Sequence, residues 1–307
     1  MTTQNSEPYY IEDCEKVQLN SKGWSLQGFS KAGARTGFIL YPHKFVFDCG
    51  VKTKSCYEHI FMTHVHTDHS LELPFICNRN KMQKVNNKYK VFAPASSTKH
   101  LVLLMRCVTL LSYPEAEIYT DDKVMDHQKI MLKGVNSSDI IKINDCEIEV
   151  LESHHTIQAV GYGISSIKTK LKPEYQTMML DETIDKKERI NRLNNLKKSG
   201  VETNEVVKIP ELVFFCDSSI DNLLLHDEWK HYPVVVCECT GLIQNKKTVQ
   251  DYIEMGHTCI LQLEPIMEAN KDKKWILIHV SPASTRDEIK QVESDLILKG
   301  IDVFIFK

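Results

Sequence analysis

The chain has 307 residues, of which 42% are hydrophobic and 26% charged, and a formal net charge of −3 at pH 7. This composition predicts a globular protein with a substantial core, and the charge excludes a general attraction to nucleic acid, so any RNA-binding surface must be local. No apolar run approaches the ~20 residues of a membrane-spanning helix, and residues 1–16 show no targeting pattern. Ten scattered cysteines indicate reduced thiols in an intracellular protein, with the cytoplasm as the default compartment and the nucleus or an organelle left open.

Strands dominate the predicted elements, after a terminus at residues 1–17 that is expected to be loose. Short apolar and β-branched runs predict the strands, with Pro42-His43 and Asn144-Asp145 as turns between them. The predicted strands cover residues 37–41, 44–47, 59–62, 90–93, 129–132, 140–143, 147–151, 211–215, 234–236, 275–278 and 302–306.

Helical spacing of apolar residues predicts helices over residues 98–111 and from about residue 258 to 269. A third helix is predicted to begin at Ser284, where Asp287 would complete a capping box. The sequence contains no internal repeat and no low-complexity linker. Strands interspersed with helices therefore predict one α/β domain of layered sheets over residues 1–307.

Residues 165–208 differ from the rest of the chain because they are highly charged and interrupt the strand pattern. Such a run is usually a solvated surface helix. The alternative is an inserted arm that binds a phosphate backbone. Its basic residues include Lys168, Lys170, Lys172, Lys186, Lys187, Arg189, Arg192, Lys197 and Lys198.

The segment Thr63-His64-Val65-His66-Thr67-Asp68-His69 carries the strongest signal for chemistry. A core histidine usually stands alone, because crowded imidazoles would bury nitrogens without partners. Imidazole and carboxylate groups are ligands that zinc and similar divalent metals prefer. A turn just past the predicted strand at 59–62 would let all four side chains face bound metal. The pattern therefore predicts a metal site.

Three further candidate ligands each follow a predicted strand: His155, Asp217 and His279. Strand ends at one edge of a sheet are where α/β folds gather their sites. Each has a structural alternative, since a lone histidine is more often structural and Asp217 could cap a helix. Together with the cluster they supply seven ligands, enough for a dinuclear site. His154 competes with His155, and spacing does not choose between them.

The pattern His-x-His-x-Asp-His, followed by single later His, Asp and His residues, resembles the metallo-β-lactamase superfamily. Finer matches resemble its short-form tRNase Z (ribonuclease Z) branch, from about residue 23 to the C-terminus. These matches are Phe47-Asp48-Cys49-Gly50, His155-Thr156-Ile157-Gln158 with Gly161-Tyr162, Lys170-Leu171-Lys172-Pro173-Glu174-Tyr175, Leu196-Lys197-Lys198-Ser199-Gly200-Val201-Glu202, Cys237-Glu238-Cys239-Thr240, Gly256-His257-Thr258 and Ile278-His279-Val280-Ser281.

The resemblance implies an αββα four-layer sandwich, two mixed β-sheets flanked by helices, that forms a homodimer. It also implies two Zn²⁺ per chain, with Mn²⁺ or another divalent ion as the alternative, and no organic cofactor or membrane partner. His155, not His154, matches the ligand of the family. One zinc would be held by His64, His66 and His155, the other by Asp68, His69 and His279, and Asp217 would bridge the two.

The implied activity is removal of the 3′ trailer from precursor tRNA by cleavage after the discriminator nucleotide, which leaves a 3′-hydroxyl. Asp68 would take the proton of the nucleophile, His257 would help the leaving 3′ oxygen, and Glu238 would orient a ligand histidine. The substrate would be bound through its backbone by the basic segment. The lysines proposed for this contact are Lys168, Lys170, Lys172, Lys197 and Lys198.

Three sites depart from the family pattern, and none of them is a proposed ligand. Leu71-Glu72 stand where two glycines are usual, Cys216 replaces a glycine, and Ala283-Ser284 replace Arg-Tyr. Two alternatives to the endonuclease therefore stay open. One is another binuclear-metal hydrolase of the superfamily, acting on a phosphodiester or a thioester. The other is a zinc-binding protein of low turnover that acts as an RNA-binding or dimer partner.

Overall fold

The computed structural model describes residues 9–82, 88–113, 120–242 and 247–306, with the backbone alone at residues 79–82. In this part of the chain the strands form two sheets of seven strands each. The first sheet keeps chain order: neighbouring strands are antiparallel from β1 to β4 and parallel from β4 to β7. Its strands are β1 (Lys16–Gln18), β2 (Ser25–Lys31), β3 (Arg35–Tyr41), β4 (Phe45–Phe47), β5 (His59–Phe61), β6 (Tyr89–Pro94) and β7 (Ile130–Val135).

The second sheet has the same mixed design. Its first four strands are antiparallel to one another, and its last four are parallel. Its strands are β8 (Ile140–Ile143), β9 (Cys146–Ser153), β10 (Ala159–Leu171), β11 (Asn204–Phe214), β12 (Val234–Glu238), β13 (Lys274–Ile278) and β14 (Asp302–Ile305). Because β9, β11 and β13 run in one direction, their carboxyl ends meet at one edge of the sheet.

The described helices fall between the strands, and most of them cover the outer faces of the sheets. In chain order they are α1 (Thr67–Ser70), α2 (Leu73–Met82), α3 (Thr98–Ser112), α4 (Asp121–His127), α5 (Pro173–Leu180), α6 (Lys186–Lys198), α7 (Asp221–Leu224), α8 (Val249–Glu254), α9 (Ile260–Ala269) and α10 (Arg286–Leu298).

Three buried apolar clusters define the layers. The central cluster lies between the sheets, where Phe47 of β4 stacks on Phe214 of β11 with ring centroids 4.5 Å apart. A second cluster joins the outer face of the second sheet to helices, through residues such as Trp275 and Leu263. A third does the same for the first sheet, through residues such as Leu101. Helices therefore lie outside two packed sheets, as the predicted αββα class requires.

Every predicted strand overlaps an observed one, but β1, β2 and β10 were not predicted. The glycines of β10 weaken a strand in general, but the structure uses them here for close packing. A Cβ at Gly161 would lie 2.4 Å from the Phe215 ring, and one at Gly163 would lie 2.2 Å from the Tyr232 hydroxyl oxygen. These contacts with residues far away in the chain stabilise β10, and they cannot be predicted from the local sequence.

The predicted start of the last helix was wrong by one residue. The last helix begins after Thr285, whose hydroxyl accepts from the Glu288 amide while the Glu288 carboxylate accepts from the Thr285 amide, so the capping box lies one residue past the predicted Ser284. Residues 1–8 of the expected loose terminus lie outside the described residues. Within residues 9–17, Ile11 is buried and its amide donates to the Lys52 carbonyl at 2.8 Å.

The charged segment at 165–208 is the outer part of β10 and β11 together with α5 and α6. Beyond Ser166, β10 pairs with β11 alone, from Ile167 opposite Lys208 to Leu171 opposite Asn204. The two strands thus form an antiparallel ribbon that extends past the sheet and carries the two helices at its end. No residue of α5 is buried, and α6 buries Leu193 only. We call this segment the arm.

Candidate metal centre

The His-rich loop follows β5 directly, where the strand leaves the sheet and leads into the short helix α1. Asp48, at the end of β4, anchors this loop because its carboxylate accepts from the Thr63 amide at 2.7 Å and from the Thr63 hydroxyl at 2.8 Å. The same carboxylate lies 3.0 Å from Nδ1 of His69. One buried aspartate therefore holds both ends of the histidine cluster.

Gly50, which follows Asp48 and Cys49, occupies a position where a side chain would not fit. An ideal Cβ at Gly50 would lie 1.7 Å from the carbonyl oxygen of Asp68, inside van der Waals contact. Its neighbour Cys49 donates its amide to the His69 carbonyl at 2.6 Å. Only glycine lets the backbone after β4 pass this close to α1, so the segment fixes the helix that carries Asp68 and His69.

The remaining candidate ligands come from the second sheet, at the carboxyl ends of strands that run in one direction. His155 follows β9, Asp217 follows β11 and His279 follows β13. His279 has a positive φ of 59°, which is uncommon for a residue other than glycine. Its amide donates to the Ser30 hydroxyl of the first sheet at 3.0 Å. The loops of both sheets therefore meet at one edge of the sandwich.

Two groups of possible ligand atoms form at this edge. In the first group, Nδ1 of His66 lies 3.1 Å from Nε2 of His64 and 3.3 Å from Nε2 of His155. Asp217 Oδ2 lies 3.8 Å from the same nitrogen of His64. The possible ligand atoms of these four residues all lie within 4.8 Å of one another.

The second group contains the other predicted ligands and shares Asp217 with the first. Nε2 of His69 lies 3.3 Å from Oδ1 of Asp217 and 3.4 Å from Oδ2 of Asp68. Nε2 of His279 lies 3.1 Å from Oδ2 of Asp217. These four residues also offer ligand atoms within 4.8 Å of one another. The structure therefore brings together all seven predicted ligands, in two groups that meet at Asp217.

In three of the predicted ligand histidines, the ring nitrogen that faces away from the centre has a hydrogen-bond partner. Nδ1 of His64 lies 3.1 Å from the Thr63 hydroxyl, Nδ1 of His155 lies 3.0 Å from the Gly256 carbonyl, and Nδ1 of His279 lies 2.9 Å from the Thr240 hydroxyl. A carbonyl acceptor at Nδ1 leaves the lone pair of His155 on Nε2, inside the centre. Outer partners of this kind are what orient histidine ligands to metals.

The donor set fits a metal centre. Nε2 of His69 and Nε2 of His279 are buried without a hydrogen-bond partner, although such groups normally find one. Imidazole nitrogens and carboxylate oxygens at this spacing suit divalent ions such as Zn²⁺. A cation bound between the two groups would satisfy both nitrogens and would balance the buried charge of Asp217.

Burial and neighbouring charges favour a neutral His64 in the first group and positive charge in the second group. Burial, followed by the neighbouring His69, lowers the pKa of His64 well below its usual value. Burial would also lower the pKa of His69, but the Asp217 carboxylate outweighs it and raises that pKa well above its usual range. Burial would raise the pKa of Asp217, but His279 and His69 hold it well below its usual range. The second group therefore stabilises positive charge.

The competition between the two adjacent histidines after β9 is decided by the fold. His155 contributes Nε2 to the first group. His154 belongs to neither group, because its Nε2 lies 3.1 Å from Nε2 of His226 on another loop. Successive side chains after a strand point to opposite sides, so only one of the pair reaches the centre.

Glu238 and His257 lie beside the ligands and contact each other. Nδ1 of His257 lies 2.8 Å from the Glu238 carboxylate, which is buried and also accepts from the Thr240 hydroxyl at 2.6 Å. Thr240 contacts His279, so Glu238 reaches that histidine through one hydroxyl. Burial lowers the pKa of His257, but the Glu238 carboxylate outweighs it and the net shift is upward. The imidazole rings of His257 and His279 stack with centroids 5.4 Å apart.

Sequence reasoning assigned no role to Asp48, Thr240 or Gly256. Each contacts a predicted ligand, through a carboxylate, a hydroxyl or a backbone carbonyl. All three stand inside the short motifs that carry the family resemblance, so a signal was present. The motifs did not reveal which predicted ligand each residue contacts, because the contacting residues lie far apart in the chain; Gly256 contacts His155 from 101 positions away.

Two of the departures from the family pattern lie beside the centre. Glu72 stands on the loop between α1 and α2, where its carboxylate faces the Lys52 ammonium at 3.8 Å. Burial raises the pKa of Glu72, and Lys52 partly offsets this rise. Cys216 is buried, with Sγ 3.5 Å from Oδ1 of Asp217. Each replacement for a glycine is thus accommodated beside the ligands without displacing one.

The five lysines predicted to bind substrate lie on the arm, away from the ligand loops. Lys168 and Lys170 are exposed on β10, where residues two apart share a face. Lys172 caps α5, and Lys197 and Lys198 form the exposed last turn of α6. Cations in the last turn of a helix also stabilise its dipole, so this pair has a structural role whether or not it binds substrate.

The sequence is similar to proteins of one named kind along most of its length. It is 26% identical to tRNase Z TRZ1 of Arabidopsis thaliana, over 92% of this chain and 94% of the relative. It is also 26% identical to Ribonuclease Z of Macrococcus caseolyticus, over 87% of this chain and 88% of the relative. No family model matches the chain. The resemblance that the motifs predicted is therefore confirmed.

The structure is similar to that of the metallo-β-lactamase fold protein YhfI from Bacillus subtilis. The TM-score is 0.52 at 12% identity, over 91% of this chain and 94% of that one. This likeness shows the metallo-β-lactamase fold and confirms the predicted class. Within the described ranges, no helix is both long and apolar enough to cross a bilayer.

Proposed function

Because a chain with the metallo-β-lactamase fold resembles tRNase Z and ribonuclease Z proteins along its length, we propose that it is a zinc-dependent endoribonuclease of precursor tRNA. It would hydrolyse the phosphodiester after the discriminator nucleotide and leave a 3′-hydroxyl on the tRNA. The observation that carries this proposal is the pair of ligand groups joined at Asp217. Two adjacent divalent ions form the catalytic centre of many enzymes that hydrolyse phosphodiesters.

The centre would hold two Zn²⁺, one on His64, His66 and His155 and the other on Asp68, His69 and His279, with Asp217 shared. Bound ions would supply Lewis acidity, a nucleophile at neutral pH and a counter-charge for the phosphoryl oxygens. Support comes from the donor types and from the two buried nitrogens that lack protein partners.

Asp68 is the group proposed to take the proton of the attacking water. Its carboxylate lies at the second ligand group, 3.4 Å from Nε2 of His69 and 3.7 Å from Nε2 of His279. It is also less buried than Asp217, since its side chain is 12% exposed against 3%. A carboxylate at the open side of the centre can meet both water and substrate, as a general base must.

His257 is the group proposed to protonate the leaving 3′ oxygen. It lies beside ligands of both groups, with ring centroids 5.2 Å from His155 and 5.4 Å from His279. The Glu238 carboxylate raises the pKa of this imidazole above its ordinary value, which extends the pH range over which it carries a proton to donate. Glu238 therefore acts through His257 and Thr240 and does not touch the substrate.

The arm is proposed to bind the body of the tRNA through Lys168, Lys170, Lys172, Lys197 and Lys198. A chain with net charge −3 needs a local basic surface to bind RNA. The exposed ribbon and helices of the arm provide one, without a buried core of their own. Contacts to the backbone would select the substrate by shape more than by base sequence.

The resemblance also supports a homodimer, which we propose as the assembly of this protein. Light scattering coupled to size exclusion would test it directly: a mass of two chains supports the dimer, and a mass of one chain contradicts it. Because the ligand groups are complete within one chain, metal binding itself does not depend on this outcome.

The function is tested with purified, zinc-loaded protein and a precursor tRNA that carries a 3′ extension. Products are mapped at nucleotide resolution beside Asp68→Ala, and metal content is measured on both proteins. A single cut at the end of the acceptor stem, absent in the variant, is the expected result. No cut by a protein that holds at least two zincs per chain would contradict the proposal. Other phosphodiesters, thioesters and RNA binding without turnover would then be tested.

A further inference from the structure

A second cluster of imidazole and carboxylate groups lies outside the candidate metal centre. It consists of His154 after β9, Glu152 within β9 and His226 after α7. Nε2 of His154 lies 3.1 Å from Nε2 of His226, and Oε2 of Glu152 lies 4.0 Å from the same nitrogen of His226. Possible ligand atoms of the three residues all lie within 4.8 Å of one another. None of the three belongs to the two groups that meet at Asp217.

A fourth residue lies on the other side of the His226 ring. Nδ1 of His226 faces Oε2 of Glu228 at 4.0 Å, the same distance as that between Nε2 and Oε2 of Glu152. Carboxylates therefore flank both nitrogens of the ring, and Nε2 faces His154. Two Nε2 atoms that face each other can share at most one proton, whereas a metal ion would use both lone pairs.

The spacing of the two nitrogens is close to that of two ligands on one ion. Two imidazoles bound tetrahedrally at about 2.0–2.1 Å have nitrogens roughly 3.3 Å apart, and the observed separation is 3.1 Å. The side chain of Glu152 is 55% exposed, so it can rotate toward a bound ion at little cost. Water from the surface would complete the coordination.

The cluster borders an open cleft, which gives an ion access from solvent. The cleft has a volume of about 220 Å³, and its lining includes Glu152, His226 and Glu228. No lysine or arginine is among the described residues that line it. The His154 backbone is held firmly, since its amide donates to the Asn222 side chain at 2.6 Å and its carbonyl accepts from the Ser219 amide at 2.8 Å. The site is therefore open, acidic and partly preorganised.

We propose that His154, His226 and Glu152 form a separate binding site for a divalent transition-metal ion of the zinc class. Such an ion would link the loop that carries His155 to the segment that follows α7. It would stabilise the position of a ligand of the centre from outside, without contributing to catalysis. The site explains why two histidines stand in sequence after β9, one for each metal site.

The test is a count of bound zinc by equilibrium dialysis at defined free Zn²⁺, comparing the wild-type protein with His226→Ala. The wild type is expected to saturate at one equivalent more than the variant. His231→Ala is the matched control, because this exposed histidine lies nearby on the same segment and outside the cluster; it is expected to bind as the wild type does. Equal saturation of the wild type and His226→Ala would overturn the proposal.

A second variant covers the case in which His226→Ala folds poorly. Glu152→Gln keeps the size and hydrogen bonding of an exposed side chain but removes its charge. It is expected to shift only the last equivalent of zinc to higher free Zn²⁺, with unchanged circular dichroism. An unshifted isotherm for a folded Glu152→Gln protein would also contradict the site. RNA cleavage is measured separately, so an inactive protein that binds the extra equivalent would refute the proposed function and leave this inference standing.

Discussion

The metal centre and the arm differ in what holds their side chains in place. In the centre, His64, His69 and His279 are buried, and each has its second ring nitrogen bound by a neighbouring side chain. On the arm, Lys168 and Lys170 stand exposed on a two-stranded ribbon. A ligand set needs fixed geometry, whereas a surface that binds a phosphate backbone needs only charge within reach.

This difference predicts large effects for substitutions in the centre and small effects for substitutions on the arm. In the centre, a substitution that leaves a buried polar group without its partner lowers the free energy of unfolding by about 1–3 kcal/mol. On the arm, exposed substitutions change the free energy of unfolding by no more than about 0.5 kcal/mol. Variants of the two regions test this difference.

Asp217→Asn should have the largest effect, because Asp217 is the residue shared by both ligand groups. We expect cleavage to fall by more than the roughly 100-fold that outer-shell changes reach, together with loss of bound metal by elemental analysis. Asp221→Asn is the control, because Asp221 is an exposed acidic residue nearby that belongs to neither ligand group. An Asp217→Asn protein that keeps its metal and activity would show that the two groups are not one centre.

Removal of metal by a chelator should lower the thermal midpoint of unfolding. Nε2 of His69 and Nε2 of His279 are buried without protein partners, so a bound ion would stabilise the folded state only. A single ion at about 100 times its Kd contributes about 2.7 kcal/mol. Calorimetry before and after chelation, with Zn²⁺ added back, measures the change. A midpoint that does not move would contradict a metal-stabilised centre.

Asp48→Asn should weaken metal binding although Asp48 is no ligand. Its carboxylate fixes Nδ1 of His69 and the amide of Thr63, and loss of such a partner costs about 10–100-fold in metal affinity or activity. Competition with a chromophoric chelator measures the affinity, with Asp126→Asn at an exposed site as control. If affinity is unchanged, the anchoring role of Asp48 is wrong.

Glu238→Gln should shift the pH profile of cleavage. Glu238 raises the pKa of His257, so removing the charge lowers that pKa. Protonated His257 is then lost at a lower pH, and the alkaline limb of kcat should move toward lower pH. His257→Ala should abolish this limb. An alkaline limb that does not move in Glu238→Gln and persists in His257→Ala would remove His257 from the proton transfer.

Lys197→Ala combined with Lys198→Ala should have the smallest effect and leave the centre intact. We expect a higher KM at unchanged kcat and a slope of log affinity against log salt that is smaller by about 1 for each phosphate group that the arm no longer binds. Metal content should not change. Lys290→Ala, an exposed lysine on α10, is the control. An equal effect of the control would mean that the arm binds RNA no better than other surfaces.

The sequence alone determined which residues could bind a metal and placed them at strand ends. His64, His66, Asp68 and His69 lie within six positions of one another, and imidazole and carboxylate chemistry is readable without coordinates. Strand runs were equally readable, because a buried strand needs little beyond apolar, β-branched residues. The α10 cap was misplaced by one residue, since Ser284 and Thr285 offer the same hydroxyl and only backbone geometry separates them.

The tertiary structure decided the pairings, because they join residues that lie far apart in the chain. It placed His155 in the centre and turned His154 toward His226, although spacing treats the two alike. It made Asp48 the anchor of the histidine loop and linked Glu238 to His279 through Thr240. Local sequence specifies which group can bind a metal or a proton, but only the packing of two sheets specifies which groups meet.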